Sequence, residues 1–244
     1  MIRIAEHQSY FGVITIFQAK RTGSLSYNQG GFVQSEADAD SVSLASYIHA
    51  IYGLLRQTDS QNILMIGCGG GTLATMLSKS GHDVTVVDVN PHAFLLARKY
   101  FGLPDGVACH VADGCKFLLS DTGVYDAIVL DAFTGDYIPT HMRSSAFFRM
   151  ARTRLNDRGC IFVNVHVDHD LDSAPDQMSA TMATIWPHVR LLDARGYANR
   201  NAIVMAGAVL RLEKPTLHVR PQVSADEIDE ELKTMQFRCW QTNI

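Results

Sequence analysis

The sequence predicts an α/β protein with a mainly parallel, Rossmann-like sheet of seven strands and a small N-terminal β-hairpin domain. From residue 62 onward, short apolar runs alternate with amphipathic helical segments, which is the pattern of βαβ units. A glycine-rich loop follows the first apolar run, and acidic residues follow the next three. The 244 residues, 47% of them hydrophobic and 19% charged, suffice for one such domain with a modest extension.

The N-terminal segment differs from the rest of the chain, because it has no βαβ pattern. Residues 10–17 are rich in strand-forming side chains, and segment 28–31 contains the two glycines of a turn. We therefore assign residues 1–40 to a β-strand element that serves as a lid or a dimerisation element and stays outside the main sheet. Helical spacing follows over residues 41–55, with Ser41 as the predicted N-cap.

The main sheet is predicted from seven apolar runs. They occupy residues 63–66, 84–87, 107–111, 127–130, 160–165, 189–192 and 202–205. Helical segments between them occupy residues 73–77, 91–100, 147–155 and 178–186. Runs that are apolar throughout indicate strands covered on both faces. Residues 41–215 are thus predicted to form the Rossmann-like catalytic domain, and residues 216–244 a C-terminal helical tail.

Charge and composition argue against several classes of partner. A formal net charge of −4 gives no general reason to bind nucleic acid or an anionic membrane. No apolar stretch approaches the ~20 residues that span a bilayer, and the N-terminus lacks the apolar run of a signal peptide. Five scattered cysteines without a C-x-x-C pair predict reduced thiols. We therefore expect a cytoplasmic protein that binds neither nucleic acid nor membrane.

Glycines and acids stand at successive predicted strand ends. Segment 67–71, Gly-Cys-Gly-Gly-Gly, follows the first strand, where it permits a tight turn and close approach of a ligand. Asp88 ends the second strand, where an acid binds ribose hydroxyls in nucleotide-binding units, and Asp113 ends the third. Taken separately, the glycine-rich loop is explained by a structural turn, and each acidic residue is explained by a helix cap. Together they predict a nucleotide site formed by Gly67, Gly69, Gly71, Asp88, Asp113 and Gly114.

The glycine spacing distinguishes two kinds of nucleotide. The dinucleotide fingerprint G-x-G-x-x-G would require glycine at position 72, which is Thr72. The spacing present is G-x-G-x-G, as in S-adenosylmethionine-dependent transferases, which this stretch resembles. We therefore predict a sulfonium nucleotide of the S-adenosyl type in preference to NAD.

Asp131 follows the fourth predicted strand, and Asp136 lies five residues further on. In open α/β sheets, ligands bind in the crevice where the strand order reverses, so Asp131 is expected to face the second substrate. An amine nucleophile must lose its proton before it attacks, and a carboxylate can hold the ammonium and accept that proton. The alternative is that Asp131 only caps the following loop.

The chain resembles the spermidine synthase family of polyamine aminopropyltransferases, within its spermidine-synthase-like branch on the methyltransferase fold. Segments 9–12 and 31–34 are similar to the family's N-terminal hairpin region, and segment 125–131 resembles the strand that leads to its catalytic aspartate. The resemblance implies that Gln34 closes the site over the nucleotide and that Tyr197 lies near the amine. It also implies a homodimer and decarboxylated S-adenosylmethionine as co-substrate, with no metal.

Two departures from the family pattern leave the transferred group open. Gly70 stands where the family has an aspartate that holds the primary amine of the donor, and Gly12 stands where it has a glutamine. We predict aminopropyl transfer to a small-molecule amine, with Asp131 catalytic and Asp136 and Tyr197 assisting. The alternatives are an S-adenosylmethionine-dependent methyltransferase, or another S-adenosylmethionine-using biosynthetic enzyme, and a catalytically silent nucleotide-binding paralogue. The cluster at residues 166–170 is interpreted as a polar loop, not a metal site.

Overall fold

The N-terminal strands form a sheet of their own in a computed structural model that describes residues 1–135 and 137–240. The four antiparallel strands are Ile2–His7 (β1), Ile14–Gln18 (β2), Leu25–Gln29 (β3) and Phe32–Ala37 (β4), in that spatial order. Apolar side chains of this sheet, among them Ile16 and Tyr27, pack against Leu96 and Phe101 of the main domain. The expected hairpin is therefore a small sheet, and it is separate from the central one.

The central sheet has eight strands. They are Asn62–Ile66 (β5), Asp83–Asp88 (β6), Ala108–Val111 (β7), Tyr125–Leu130 (β8), Leu155–Val167 (β9), Val189–Asp193 (β10), Arg200–Gly207 (β11) and Gln236–Arg238 (β12). Their spatial order is β12-β10-β11-β9-β8-β5-β6-β7. Strands β5 to β9 pair in parallel, whereas β9, β11, β10 and β12 pair antiparallel. The order reverses between β5 and β8, which places a crevice at the carboxyl ends of these two strands.

Helices cover both faces of the central sheet. They are Ser46–Leu55 (α1), Thr72–Lys79 (α2), Pro91–Phe101 (α3), Gly114–Ser120 (α4), Ser145–Thr153 (α5), Ala174–Ala183 (α6) and Ala225–Thr234 (α7), with a short 3-10 helix at Thr140–Arg143. One apolar core lies under α1, α2, α3 and α7, and a second lies under α4, α5 and α6. Among the described residues, no helix is long and apolar enough to cross a membrane. The predicted α/β class, with a sheet that is parallel in its larger part, is confirmed.

Two expectations about element boundaries were wrong. The first helix begins at Ser46, with Ala45 as its N-cap, and Ser41 instead adopts a positive φ of 66° in the preceding turn. The amide of Val42 donates to the Asp38 carboxylate, which holds that turn and delays the helix. The tail contains both α7 and the short strand β12, so the central sheet has one strand more than predicted.

A buried ion network fixes the extra strand to the sheet. Arg238 of β12 donates to Asp193 of β10 at 2.8 Å and to Asp176 of α6 at 2.8 Å. Arg200 of β11 donates to the other oxygen of Asp193 at 2.7 Å. The Asp193 side chain is fully buried, and although burial alone raises its pKa, the hydrogen bonds from Arg200 and Arg238 hold that pKa below its ordinary value. This charge network, more than local propensity, determines the path of the tail.

We expect Asp193→Ala to destabilise the protein by roughly 3 kcal/mol, because it removes a shared anion from two buried or partly buried guanidinium groups. The matched control is Asp226→Ala, which breaks an exposed ion pair with Arg220 and should cost at most about 1 kcal/mol. Denaturant unfolding of both variants measures the difference. Equal losses in the two variants would show that the Asp193 network does not hold the fold.

Candidate functional site

A cavity of about 540 Å³ opens at the carboxyl ends of β5, β6 and β8, beneath the N-terminal sheet. It is lined by the glycine loop, by the ends of these strands and by aromatic side chains such as Tyr10 and Phe11. The cavity brings together most of the predicted nucleotide-binding residues. The predicted nucleotide-binding residues that line the cavity are Gln34, Gly67, Gly69, Asp88, Asp113 and Gly114. Asp131 lines the same cavity.

The glycine loop is built for close backbone contact. Gly67 has a φ of +104°, and a Cβ placed there would lie 2.0 Å from the carbonyl oxygen of Asp131. Gly69 has a φ of +51°, and its Cβ position is 2.8 Å from Ser35 Oγ. Only glycine fits two such positions without displacement of backbone or neighbours. Gly71 is at the N-cap of α2 and packs against Ala97; it does not line the described cavity wall.

Asp88 ends β6 with both carboxylate oxygens facing backbone amides. Oδ2 accepts from the amide of Cys68 at 2.8 Å, and Oδ1 accepts from the amide of Asn90 at 2.7 Å. Burial raises the pKa of Asp88, while these two hydrogen bonds oppose the shift. Each carboxylate oxygen has a second lone pair. Asp88 can therefore hold the loop in place and still accept hydrogen bonds from two ribose hydroxyls.

Asp113 caps α4 through Oδ1, which accepts from the amides of Cys115 and Lys116. Its Oδ2 accepts from His141 Nε2 at 2.9 Å. Burial alone raises the pKa of Asp113, but the hydrogen bonds from His141 and the helix amides outweigh burial and lower it. Asp113 is thus an anion at neutral pH on the cavity wall, in position to accept a hydrogen bond from a nucleotide base.

Asp113, Cys115 and His141 form the group of described residues whose donor atoms are close enough for a metal ion, within 4.8 Å of one another. Burial, and then the charge of Asp113, raises the pKa of the Cys115 thiol to about 11. The oxygens of Asp113 already accept three hydrogen bonds. Asp113 and His141 also line the cavity, where they form a polar part of its wall.

Asp131 is a half-buried carboxylate held by neutral donors. Asn164 Nδ2 donates to its Oδ1 at 2.8 Å, and the Tyr47 hydroxyl approaches its Oδ2 at 3.4 Å. Asn201 Nδ2 donates in turn to Asn164 Oδ1 at 2.9 Å, which orients that amide. Burial raises the pKa of Asp131, and the bonds from Asn164 and Tyr47 oppose the shift. Burial, and then Asp131, raises the pKa of Tyr47, so this hydroxyl stays a donor.

A second cavity, of about 280 Å³, adjoins the first at Asp131. Its wall combines residues of β4 and the glycine loop with residues of β9 and β11, among them Asn164 and Asn201. The two cavities share Phe32, Gln34, Cys68, Gly69, Asp131, Phe133 and Gly135. The geometry therefore provides two compartments that meet at one half-buried carboxylate.

The structure does not test the roles of two further predicted catalytic residues. Asp136 lies outside the described residues, so its predicted role stays a prediction. Tyr197 lies in the turn before β11 with its side chain 55% exposed, and it is not among the described residues that line either cavity. Asn199, two residues later, does line the second cavity. The role of Tyr197 near an amine also remains a prediction.

Sequence reasoning missed the partners of the two key acids. Asn164 is the polar residue within the otherwise apolar core of β9, and such a residue signals a buried hydrogen bond. Tyr47 and His141 carried no comparable signal, because both reach their partners through tertiary contacts. Tyr47 is 84 residues from Asp131 in sequence, and His141 is 28 residues from Asp113.

Residues 63–159 match the model of a protein family that is described as a methyltransferase domain. The chain is 33% identical over 140 residues to a polyamine aminopropyltransferase of Chromobacterium violaceum, and the match covers 54% of each protein. It is 30% identical over 149 residues to an N-terminal histidine N-methyltransferase of Emericella nidulans, covering 59% of this chain and 26% of that protein. The chain thus spans about half or less of the length of these two relatives.

The crystal structure of a probable spermidine synthase from Corynebacterium glutamicum has the same fold. It superposes with a TM-score of 0.79 at 21% identity, over 96% of this chain and 90% of that one. Together these matches confirm the resemblance to the spermidine-synthase-like branch of the methyltransferase fold. The relatives named above are transferases, and residues 63–159 match the methyltransferase domain, which agrees with the expectation of a transferase.

We expect Asp88→Ala to weaken nucleotide binding by about 1.5–3 kcal/mol, because it removes a charged acceptor of the ribose hydroxyls and of the loop amides. Calorimetry with methylthioadenosine measures the loss. Asp83→Ala, at the exposed start of the same strand, is the matched control and should bind like the wild type. An unchanged dissociation constant for the Asp88 variant would remove that residue from the site.

We also expect Asp131→Asn to increase the free energy of unfolding at neutral pH. A carboxyl whose folded pKa is raised favours the fold below its unfolded pKa, and this contribution is lost as the pH rises through the folded value. The neutral amide avoids that loss, so the difference should vanish near pH 3 and grow toward neutral pH. Denaturant unfolding at both pH values tests this, with Asp83→Asn as control. A less stable variant at neutral pH would contradict the buried-charge assignment.

Proposed function

We propose that this spermidine-synthase-like chain transfers an aminopropyl group from decarboxylated S-adenosylmethionine to a small amine. The single observation that carries the proposal is the junction of the two cavities at the half-buried carboxylate of Asp131. A nucleotide in the first cavity and an amine in the second would meet at this anion. The amine is attracted to the carboxylate, and this attraction is stronger in a partly buried position than in bulk water.

The charges of the cavity walls support a donor without a carboxylate. The described lining of the two cavities contains Glu36, Asp88, Asp113 and Asp131 but neither lysine nor arginine. A methionine carboxylate would meet no side-chain cation there, whereas an ammonium is attracted by the nearby acids. An acidic wall therefore favours the decarboxylated nucleotide and a cationic acceptor.

Asp131 has two tasks in this reaction. It first holds the acceptor ammonium, and it then takes the proton that the amine must lose before attack. The amine nitrogen forms a bond to the propyl carbon as the bond from that carbon to sulfur breaks. The electron pair of the broken bond passes to sulfur, and methylthioadenosine leaves. A raised pKa makes the carboxylate of Asp131 a stronger base than an ordinary aspartate, and Asn164 and Tyr47 keep it oriented.

Methyl transfer from S-adenosylmethionine to an amine is the second candidate. The match to the methyltransferase domain and to a histidine N-methyltransferase favours it. Asp131 would act in the same way, because a methylated amine also loses a proton. The two candidates differ only in the tail of the donor, so the nucleotide used decides between them.

Other parts of the proposal concern the surroundings of the site. Tyr10 and Phe11 of the N-terminal segment line the nucleotide cavity, so we assign this sheet as its lid. Asp136 and Tyr197 are proposed to assist Asp131. A homodimer, a cytoplasmic location and a site that works without a metal complete the proposal.

We expect Asp131→Asn to lower turnover by roughly 10²–10⁴-fold with nucleotide affinity nearly unchanged, because the amide cannot accept the proton. The assay measures methylthioadenosine and the alkylated amine, after a panel of diamines, polyamines and monoamines identifies an acceptor. Wild-type activity should also fall as the pH drops through a pKa above the ordinary aspartate range. A variant with near wild-type turnover on a confirmed acceptor would reduce Asp131 to a loop residue.

A further inference from the structure

Glu36 of β4 is a half-buried carboxylate on the wall of the second cavity. Within the described part of the chain, its side chain has no hydrogen-bond or ion-pair partner. Burial raises its pKa, and no nearby donor opposes that shift. An unpaired charge in a partly dry position is costly unless a ligand compensates for it. Because it faces a cavity beside a nucleotide site, the missing partner is expected to be a cationic group of a ligand.

We infer that Glu36 binds the terminal ammonium of the donor nucleotide's tail and thereby selects the donor. This inference rests on the proposed function, because it assumes that a sulfonium nucleotide occupies the first cavity. It identifies the ligand group as a primary ammonium at the end of a short alkyl chain on sulfur.

The position of Glu36 favours the donor tail over the acceptor. Glu36 lies on the side of the second cavity formed by β4 and the glycine loop, with Cys68 and Gly69, and these two residues also line the nucleotide cavity. The opposite side is formed by β9 and β11, and it carries the neutral amides of Asn164 and Asn201. A tail that leaves the nucleotide along the loop therefore meets Glu36 before it meets the acceptor side.

The glycine loop itself has no room for a carboxylate near the tail. The amide of Gly70 donates to Ser35 Oγ at 2.9 Å. A Cβ at position 70 would lie 2.9 Å from Ser35 Cβ and 3.2 Å from the ring of Phe101. A charged side chain on the loop would displace these neighbours. The adjoining strand β4 supplies the anion instead, one residue beyond Ser35.

This arrangement has a consequence for donor choice. A tail with an ammonium and no carboxylate is attracted to both Glu36 and Asp131. The tail of S-adenosylmethionine carries a carboxylate as well, which the same two anions repel. The second cavity thus selects for the decarboxylated form by charge, with no need for a difference in shape.

Calorimetry with three nucleotides tests the inference on the full chain. Methylthioadenosine lacks the tail ammonium, decarboxylated S-adenosylmethionine has it, and S-adenosylmethionine has both charges. We expect the wild type to bind the decarboxylated form at least roughly 10-fold more tightly than either of the others. Glu36→Gln should reduce affinity for the decarboxylated form by roughly 10-fold or more and leave methylthioadenosine binding unchanged. Glu227→Gln, on the exposed N-terminal turn of α7, is the matched control and should change neither.

The outcomes separate this inference from the proposed function. If the wild type binds none of the three nucleotides, both the inference and the proposed function are overturned. If it binds them but Glu36→Gln leaves the affinity ratio unchanged, Glu36 does not bind the tail, and the proposed function stands. A variant that loses affinity for all three nucleotides alike would show that Glu36 supports the cavity wall and does not recognise the ammonium. Unchanged binding of methylthioadenosine also reports that the variant is folded.

Discussion

The partial burial of the Asp131 carboxylate is the constraint on which the rest of the site depends. A charge removed from water must be matched by hydrogen bonds or by a ligand. The protein supplies only neutral partners, the amide of Asn164 and the hydroxyl of Tyr47, and no described cation pairs with it. Neutral donors hold the carboxylate in place without cancelling its charge. The negative charge of Asp131 can therefore attract a cationic ligand.

The fold explains how this charge comes to stand beside the larger cavity. The strand order reverses between β5 and β8, so the loops that leave these strands diverge and open a crevice. The loops nevertheless touch at their origin, where the Asp131 amide donates to the Ile66 carbonyl at 2.9 Å. Gly67 must lack a side chain because the Asp131 backbone passes directly over it. The glycine loop and the loop that begins at Asp131 are thus one packed unit, not two adjacent motifs.

Much of the fold and part of the site could be predicted from the sequence, for identifiable reasons. Strands such as β5 and β8 end in four consecutive apolar residues, and the glycine spacing before Thr72 is local in sequence, so both signals can be read from the sequence alone. Strand β12 was missed because its three residues pair through Arg238 and Asp193, a contact 45 residues apart. Tyr47 was missed for the same reason. Asn164 was detectable in principle, because an amide within an apolar strand needs a buried partner.

The ionisation of Asp131 is the most direct test of this account, and carboxyl-carbon NMR measures it residue by residue. An unperturbed aspartate titrates at about pH 3.9. The account predicts that Asp131 in the ligand-free protein titrates clearly above that value, and that a bound cationic amine moves its titration downward, because a nearby positive charge favours the carboxylate. An Asp131 resonance that titrates in the ordinary range and does not respond to any amine would contradict the central claim.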